Sequence, residues 1–203
     1  FLDELGEFPP HLLDALRQPL EEGRVHVARK GVSVDFPCSV QMVAATNPCP
    51  CGYADDRLVS CSCSPRALAK YRRRFSGPLL DRIDLRVNVP RLDPDELAGE
   101  GGESSAGVRD RVCMARDRQL VRGALNRDLR RSALDALEWS AASSRLLGAS
   151  ARRLAVTARG WDRVRRLART IADLEDCETI GSNHLAEAIS YRRQRLATGV
   201  TPV

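Results

Sequence analysis

The pattern of hydrophobic positions along this chain of 203 residues changes from a mixture of helical and strand-like spacing to helical spacing alone, and this change predicts two domains. After a pair of prolines at 9–10, which suit the start of a helix, leucines recur at nearly helical spacing until Gly23. Residues 24–37 then alternate apolar and polar side chains on either side of Arg29-Lys30-Gly31. Such alternation around a short glycine-containing break predicts a β-hairpin with a basic tip.

Three other segments of the first half have the apolar character of strands. They are the first residues, which lead into two acids, the run 41–46 and the alternating run 83–90. A cysteine-rich loop spans 47–64, and Ser64-Pro65 then opens a basic helix that continues to about residue 74. Because the first residues already read as the end of a buried strand, we expect the chain to be part of a longer protein.

A polar, Gly- and Ser-rich segment at 93–107 predicts a linker between the two patterns. From Val108 onward only helical patterns occur, including a last helix at about 183–194 for which Ser182 is the expected N-cap. The predicted organisation is an α/β domain over 1–92, the linker, and an all-helical domain over 108–198.

Charge and composition narrow the choice of partners only slightly. The net charge is +5 and the pI about 9.0, and nearly all basic residues are arginines. This balance is compatible with nucleic acid and equally with an ordinary solvated surface. No apolar run approaches the ~20 residues of a membrane span, and no signal-peptide pattern opens the chain. We therefore expect a cytoplasmic protein with no membrane partner.

Four of the seven cysteines lie close together, as Cys49-Pro-Cys51 and Cys61-Ser-Cys63. Two such pairs can supply four thiolates to a tetrahedral structural zinc site, although the gap within each pair is shorter than is usual. The alternatives are buried thiols without a metal or a disulfide, and a reducing cytoplasm disfavours the disulfide. We expect a structural zinc ion held by these cysteines.

Two short motifs have the chemistry of nucleotide hydrolysis. Asp3 and Glu4 follow an apolar segment, where the first carboxylate can help to hold Mg²⁺ and the second can polarise a water molecule. Asn47 directly follows the run 41–46, at the carboxyl end of a predicted strand, where α/β sheets bind ligands. Taken alone, two acids after a strand commonly just face solvent, and an asparagine before a proline commonly marks an ordinary turn.

Two arginines are candidates for contact with phosphate. Arg82 lies in SGPLLDRID, where a turn could hold it out toward a neighbouring subunit as an arginine finger. Arg159 lies near the expected start of a helix in TARGWDR. Each is equally compatible with a solvated surface arginine, worth little in stability.

Taken in order, FLDELGEF, VAATNPCPCGY, SGPLLDRID and TARGWDRVRRLARTIADLE resemble the magnesium chelatase family of AAA+ ATPases, in its ComM branch. The resemblance implies the C-terminal part of an AAA+ P-loop core, from the Walker B strand onward, followed by an all-helical lid domain. It implies that Asp3 and Glu4 are the Walker B pair and Asn47 is sensor 1. Arg82 would be the arginine finger, and Arg159 sensor 2, with Arg152 and Arg153 as alternatives.

The resemblance also implies ATP, Mg²⁺ and a homo-oligomeric ring, a hexamer, that remodels DNA by branch migration in recombination. The family's phosphate-binding loop, G-x-x-x-x-G-K-[ST], does not occur in this sequence, so we expect the chain by itself to be inactive as an ATPase. Alternatives are a metal-insertion ATPase of the magnesium chelatase type and a non-catalytic, zinc-stabilised assembly module.

Two basic features could contact DNA. The first is the hairpin tip, Arg29 and Lys30, because related ring ATPases direct a hairpin at this place in the chain toward the central pore. The second is the helix after the cysteines, whose basic residues are Arg66, Lys70, Arg72, Arg73 and Arg74. A solvated helix or a contact between subunits explains the second feature equally well.

Overall fold

A computed structural model describes residues 1–54, 56–93, 95, 98–99, 101–154 and 157–193, without the side chains of 151–154 and 193. The described residues form two compact units that divide between Ile83 and Asp84. The helix Ser105–Val121, in the second unit, begins within the predicted linker. The assignment of 1–92 and 108–198 as functional domains stays a prediction.

The first unit combines short helices with one hairpin. Its elements are a 3-10 turn at Leu5–Glu7, α1 at Pro10–Ala15, α2 at Arg17–Glu22, β1 at Arg24–Arg29, β2 at Val32–Pro37, α3 at Pro65–Arg72 and α4 at Gly77–Leu80. The leucine-rich segment thus forms two helices, joined at Leu16. Pro19 explains the break, because it has no N–H to donate to the carbonyl of Ala15.

The predicted β-hairpin is confirmed. Strands β1 and β2 pair antiparallel, with Val25 opposite Phe36 and Val27 opposite Val34. The two-residue turn between them has positive φ angles of 48° at Lys30 and 79° at Gly31, which is the backbone that matches the twist of a tight hairpin. The basic tip therefore lies at a sharp turn.

The other predicted strands are largely absent from the described chain. The first residues and the run 41–46 contribute one parallel bridge, between Leu2 and Ala44, and Phe1 is 80% exposed rather than buried. The run 83–90 forms no ladder there; the N–H of Arg86 instead donates to the carbonyl of Tyr191 at 3.2 Å. A ladder requires a neighbouring strand that supplies matching donors and acceptors. An apolar or alternating pattern was therefore not enough to make these segments paired strands.

The core of the first unit packs residues from near its beginning, at 5–13, against residues from near its end, at 71–80. Tyr71 and Phe75, at the end of α3, pack edge to face with ring centroids 5.8 Å apart. The buried members of this core are Leu5, Leu13, Tyr71, Phe75, Leu79 and Leu80. Helix α3 begins where predicted, with the Ser64 hydroxyl accepting the N–H of Ala67 at 3.2 Å.

The second unit is helical, as predicted for the residues described. Its elements are α5 at Ser105–Val121, a 3-10 turn at Asn126–Asp128, α6 at Arg131–Asp135, α7 at Ala141–Leu154, α8 at Ala158–Leu174 and α9 at Ser182–Arg193. Helix α8 packs its apolar face on α9, and the buried core includes Val164, Ile171, Ile180, Leu185 and Ile189. None of the helices in the described part of the chain is both long and apolar enough to cross a membrane.

A buried carboxylate joins three elements of the second unit. The Asp173 side chain is 1% exposed and pairs with Arg122 and Arg169, the latter 3% exposed. Asp173 also accepts a hydrogen bond from the Asn126 amide at 2.7 Å. Burial lowers the pKa of Arg169, which the charge of Asp173 opposes. The helices are therefore tied together by a counterion as well as by apolar packing.

Candidate functional site

Backbone pairing brings the predicted acids and amide to one edge. The Leu2 N–H donates to the Val43 carbonyl at 2.9 Å, and the Ala45 N–H donates to the Leu2 carbonyl at 2.9 Å. Because this pairing is parallel, both segments end on the same side. Asp3 and Glu4 thus leave one segment where Asn47 leaves the other, and all three residues are exposed.

The backbone at the acid pair is held in an unusual conformation. Glu4 has φ 49° and ψ 42°, the left-handed region that non-glycine residues seldom adopt. Its N–H donates to the Asp3 carboxylate at 2.9 Å, and the Leu5 N–H beyond it donates to the Ala45 carbonyl at 2.8 Å. Strain of this kind costs about 1–3 kcal/mol and concentrates at functional sites.

A tyrosine from α3 fixes the backbone next to Asn47. The Tyr71 hydroxyl donates to the Asn47 carbonyl at 2.9 Å and lies 2.9 Å from the Thr46 hydroxyl. Burial raises the pKa of Tyr71, although the Thr46 hydrogen bond opposes that change. The position of residue 47 therefore depends on the packing of α3 against the core.

Arg74, two residues after the end of α3, also reaches the acidic turn. Arg74 donates to the Gly6 carbonyl and pairs with Glu7 at 2.9 Å, while its guanidinium lies 5.8 Å from the centroid of the Tyr71 ring. Gly6 is essential to this arrangement, because a Cβ there would lie 2.1 Å from the Tyr71 hydroxyl oxygen. The acid pair and the amide are thus supported by α3 and the residues directly after it.

Arg82 is held within its own unit. Its guanidinium pairs with Glu21 and donates to the carbonyls of Pro78, at 2.7 Å, and Arg17, at 3.1 Å. The Arg82 side chain is 16% exposed and that of Glu21 25% exposed. The arginine is therefore presented by α2 and α4 together, and contact of its guanidinium with another subunit would replace some of these bonds.

Arg159 lies in the first turn of α8, in the second unit. The Thr157 hydroxyl caps this helix by accepting the Gly160 N–H at 3.1 Å, and Arg159 is exposed. Unpaired N–H groups and the helix dipole make a first turn attractive to anions. The alternatives, Arg152 and Arg153, have side chains outside the described part of the chain.

The four clustered cysteines converge in space. The sulfur of Cys49 lies 3.4 Å from that of Cys51 and 3.7 Å from that of Cys61, and the Cys51 and Cys61 sulfurs lie 3.6 Å apart. With Cys63 the ligand atoms all lie within 4.8 Å of one another. Zn–S bonds of ~2.3 Å in a tetrahedron place sulfurs about 3.8 Å apart, so the donor set fits zinc, and the sulfur separations are too long for a disulfide.

The local backbone supports such a site. Gly52 has a φ of 82°, and its N–H donates to the Cys49 carbonyl at 3.0 Å, which closes a tight turn around Pro50. The Ala54 N–H points at the Cys49 sulfur, 3.3 Å away. A hydrogen bond from the Tyr53 backbone lowers the pKa of Cys51 to about 5, while desolvation and the Cys51 thiol raise the pKa of Cys63 to about 12.

A second group of possible ligands, Glu175, Cys177 and His184, lies in the second unit. The Nδ1 atom of His184 accepts the Gly181 N–H at 2.9 Å, so the neutral ring carries its proton on Nε2, 2.9 Å from the Glu175 carboxylate. That nitrogen then has no lone pair for a metal. We interpret this group as a hydrogen-bonded helix start rather than a metal site.

The structure therefore brings together the acid pair with Asn47, and the four cysteines with one another. Arg29 and Lys30 lie at the hairpin turn. Tyr71 and Glu21 were not predicted from the sequence, and their partners lie 24 and 61 residues away along the chain. No local pattern marks such partners; an aromatic residue among the arginines of α3 was the one available signal for Tyr71.

Comparison with known proteins confirms the resemblance seen in the motifs. Residues 1–97 match the family described as magnesium chelatase, subunit ChlI, and residues 102–192 match the description of its C-terminal part. The chain is 39% identical over 199 residues to competence protein ComM of Haemophilus influenzae and 39% identical over 196 residues to the uncharacterized protein YifB of Escherichia coli. Each alignment covers 95% of this chain but 38% of the relative, so the chain spans well under half the length of these proteins.

Proposed function

Because this chain belongs to the magnesium chelatase family, we propose that it forms part of an AAA+ ATPase whose nucleotide sites lie between subunits of a homo-oligomeric ring. One observation carries the proposal: the parallel pairing of Leu2 with Ala44 leaves Asp3, Glu4 and Asn47 at one edge. A carboxylate pair beside an amide is the chemistry that a Mg²⁺–nucleotide site requires.

Each of these side chains has a separate task. Asp3 would hold Mg²⁺ through its water shell, and Glu4 would accept a proton from the attacking water. Asn47 would orient that water beside the γ-phosphate. Since phosphoryl transfer depends on positioning and electrostatics more than on covalent chemistry, the support from Tyr71 behind Asn47 serves the reaction directly.

The arginines would stabilise the charge that develops on the phosphate. Arg82 would act on the ATP of a neighbouring subunit, and a residue of this type contributes about 10³–10⁵ in rate. Its pairing with Glu21 suggests that this carboxylate holds the guanidinium ready for the neighbour. Arg159, at the start of α8, would contact the γ-phosphate and so couple hydrolysis to movement of the helical domain.

We further propose that the ring, a hexamer, works in the cytoplasm on DNA. The Haemophilus relative is named a competence protein. The work proposed for this chain, as the resemblance of its motifs implies, is branch migration during recombination of imported DNA, and the hairpin tip supplies Arg29 and Lys30 for phosphate contacts. The four cysteines would hold a structural zinc ion that shapes the loop after Asn47.

The test is ATP hydrolysis by the product of the whole gene that encodes this chain, with and without branched DNA, beside a Glu4→Gln variant. Hydrolysis that DNA stimulates and that Glu4→Gln abolishes supports the proposal. Hydrolysis indifferent to DNA would instead favour metal insertion, and an absence of hydrolysis would favour an assembly module.

A separate experiment tests the arginine finger. Subunits with Arg82→Ala and subunits with Glu4→Gln, each inactive alone, should recover part of the activity when mixed. Recovery follows because a Glu4→Gln subunit can donate its Arg82 to a neighbour whose Glu4 is intact. If mixing restores nothing while both variants still assemble, Arg82 does not act between subunits.

A further inference from the structure

Helix α3 carries a one-sided row of basic side chains. Arg66, Lys70 and Arg73 are exposed and follow one another at helical spacings of four and three residues. At ~100° per residue these positions fall within an arc of about 60°. The other side of the helix is anchored in the core by Tyr71 and Phe75, so the row points to solvent.

No acid of the described chain neutralises this row. The cationic groups of Arg66, Lys70 and Arg73 have no ion pair or hydrogen bond to any described residue, whereas nearby Arg74 is bound to Glu7. The whole stretch 57–80 contains six basic residues and no acidic one. A zinc ion with four thiolates would bring a net charge of about −2, which leaves this stretch strongly positive.

Helix stability does not explain the row. Cations near a helix C-terminus interact favourably with the helix dipole, which accounts for Lys70 and Arg73. Arg66 lies in the first turn of α3, next to the capping Ser64, where the same dipole disfavours a positive charge. Its place in the same row therefore points to a role outside helix stability, such as binding an anion from outside the chain.

We propose that Arg66, Lys70 and Arg73 form a binding face for the phosphodiester backbone of a nucleic acid, distinct from the hairpin tip. From Arg66 to Arg73 the helix rises about 10 Å, and a DNA strand carries a charge every ~3.4 Å along its axis. The row therefore spans about four successive phosphates, and each of its three cations can contact one of them. This inference rests on the proposed work on DNA, but it concerns binding and needs no ATP.

The test is the salt dependence of nucleic-acid binding by the chain itself, measured by fluorescence anisotropy with labelled single-stranded and duplex DNA. The variant combines Arg66→Gln, Lys70→Gln and Arg73→Gln. Its matched control combines Arg111→Gln, Arg127→Gln and Arg131→Gln, which removes the same charge from exposed arginines that are paired with acids. Circular dichroism confirms that each protein is folded.

We expect the row variant to reduce the slope of log affinity against log salt by about 2.7 for duplex or about 2.1 for single strands, the value for three lost phosphate contacts. The control should keep nearly the slope of the unmodified chain. The strand type that shows the reduction identifies which nucleic acid the face binds.

Four results would overturn the inference. An equal loss in the control would mean general charge attraction, and a row variant that binds normally but sediments differently would mean a contact between subunits. An unmodified chain that binds no DNA would also exclude the face. A variant that combines Arg29→Gln and Lys30→Gln distinguishes the two basic surfaces. If only this variant loses DNA binding, the binding role of the α3 row is refuted, while the proposed function on DNA is retained.

Discussion

The buried carboxylate of Asp173 offers the sharpest test of how the helical unit is stabilised. An Asp173→Asn substitution keeps the side-chain size but removes the charge that faces Arg169 and Arg122. Arg169 is 3% exposed, and its remaining contacts are the carbonyls of Cys177 and Glu178. Breaking a buried pair by removing one partner costs about 3–5 kcal/mol, because a buried charge remains without its counterion.

That loss is large beside the ~5–15 kcal/mol by which domains are stable. With a urea m-value of about 2 kcal/mol/M, it lowers the unfolding midpoint by roughly 2 M. Both tryptophans, Trp139 and Trp161, lie in the second unit, so tryptophan fluorescence reports on the unfolding of this unit. Far-ultraviolet circular dichroism of the same samples follows the whole chain.

Asp128→Asn is the matched control for this measurement. Asp128 is 58% exposed and pairs with Arg127 at 3.4 Å, and exposed pairs contribute about 0–1 kcal/mol. We expect the control to unfold within about 1 kcal/mol of the unmodified chain. If Asp173→Asn unfolds at the same urea concentration as the control, the carboxylate does not act as a buried counterion, and the reasoning is refuted.

Three further predictions concern the first unit. The chain should bind one zinc ion, and a chromogenic chelator should show weaker binding for Cys51→Ser but not for Cys113→Ser, which lies outside the cluster; equal binding by both variants would exclude the site. The affinity should fall progressively as the pH is lowered, beginning well above the pKa of Cys51, because the pKa of Cys63 is raised to about 12 and protons compete with the metal for its thiolate. Tyr71→Phe removes the hydrogen bond to the Asn47 carbonyl and should cost about 1 kcal/mol in urea unfolding, whereas an unchanged midpoint would mean that the bond contributes nothing. Gly6→Ala should destabilise more than Tyr71→Phe, since its methyl overlaps the Tyr71 hydroxyl, and in the Tyr71→Phe background the extra loss should shrink.

Much of the local structure was predictable because the interactions that determine it join residues close together in the chain. The turn at Lys30-Gly31 and the cap at Ser64 each depend on a few neighbouring residues. Strand prediction was less successful. The run 83–90 alternates as a strand should, yet pairing needs a neighbour, and its Arg86 N–H bonds to the carbonyl of Tyr191 instead.

For the candidate site, residue types in order were enough to indicate the family, and the clustering of four cysteines was enough to predict a candidate metal site. The arrangement of these residues in space could not be predicted from their order or spacing along the chain. The sulfur separations near 3.5 Å result from the turn at Gly52 together with the fold of the loop around it. Likewise, the shared edge of Asp3 and Asn47 exists because two segments more than forty residues apart pair in parallel.

Short-range features were thus predictable from the sequence: the start of α3 after Ser64, the hairpin, the cysteine pairs and the chemical types of the candidate residues. Only the tertiary structure decided which of them meet. It decided that Glu21 holds Arg82, that Tyr71 supports Asn47 and that Asp173 neutralises Arg169. The physical reason is that hydrogen bonds and ion pairs depend on distances of about 3 Å, which packing establishes between residues that have no relation along the chain.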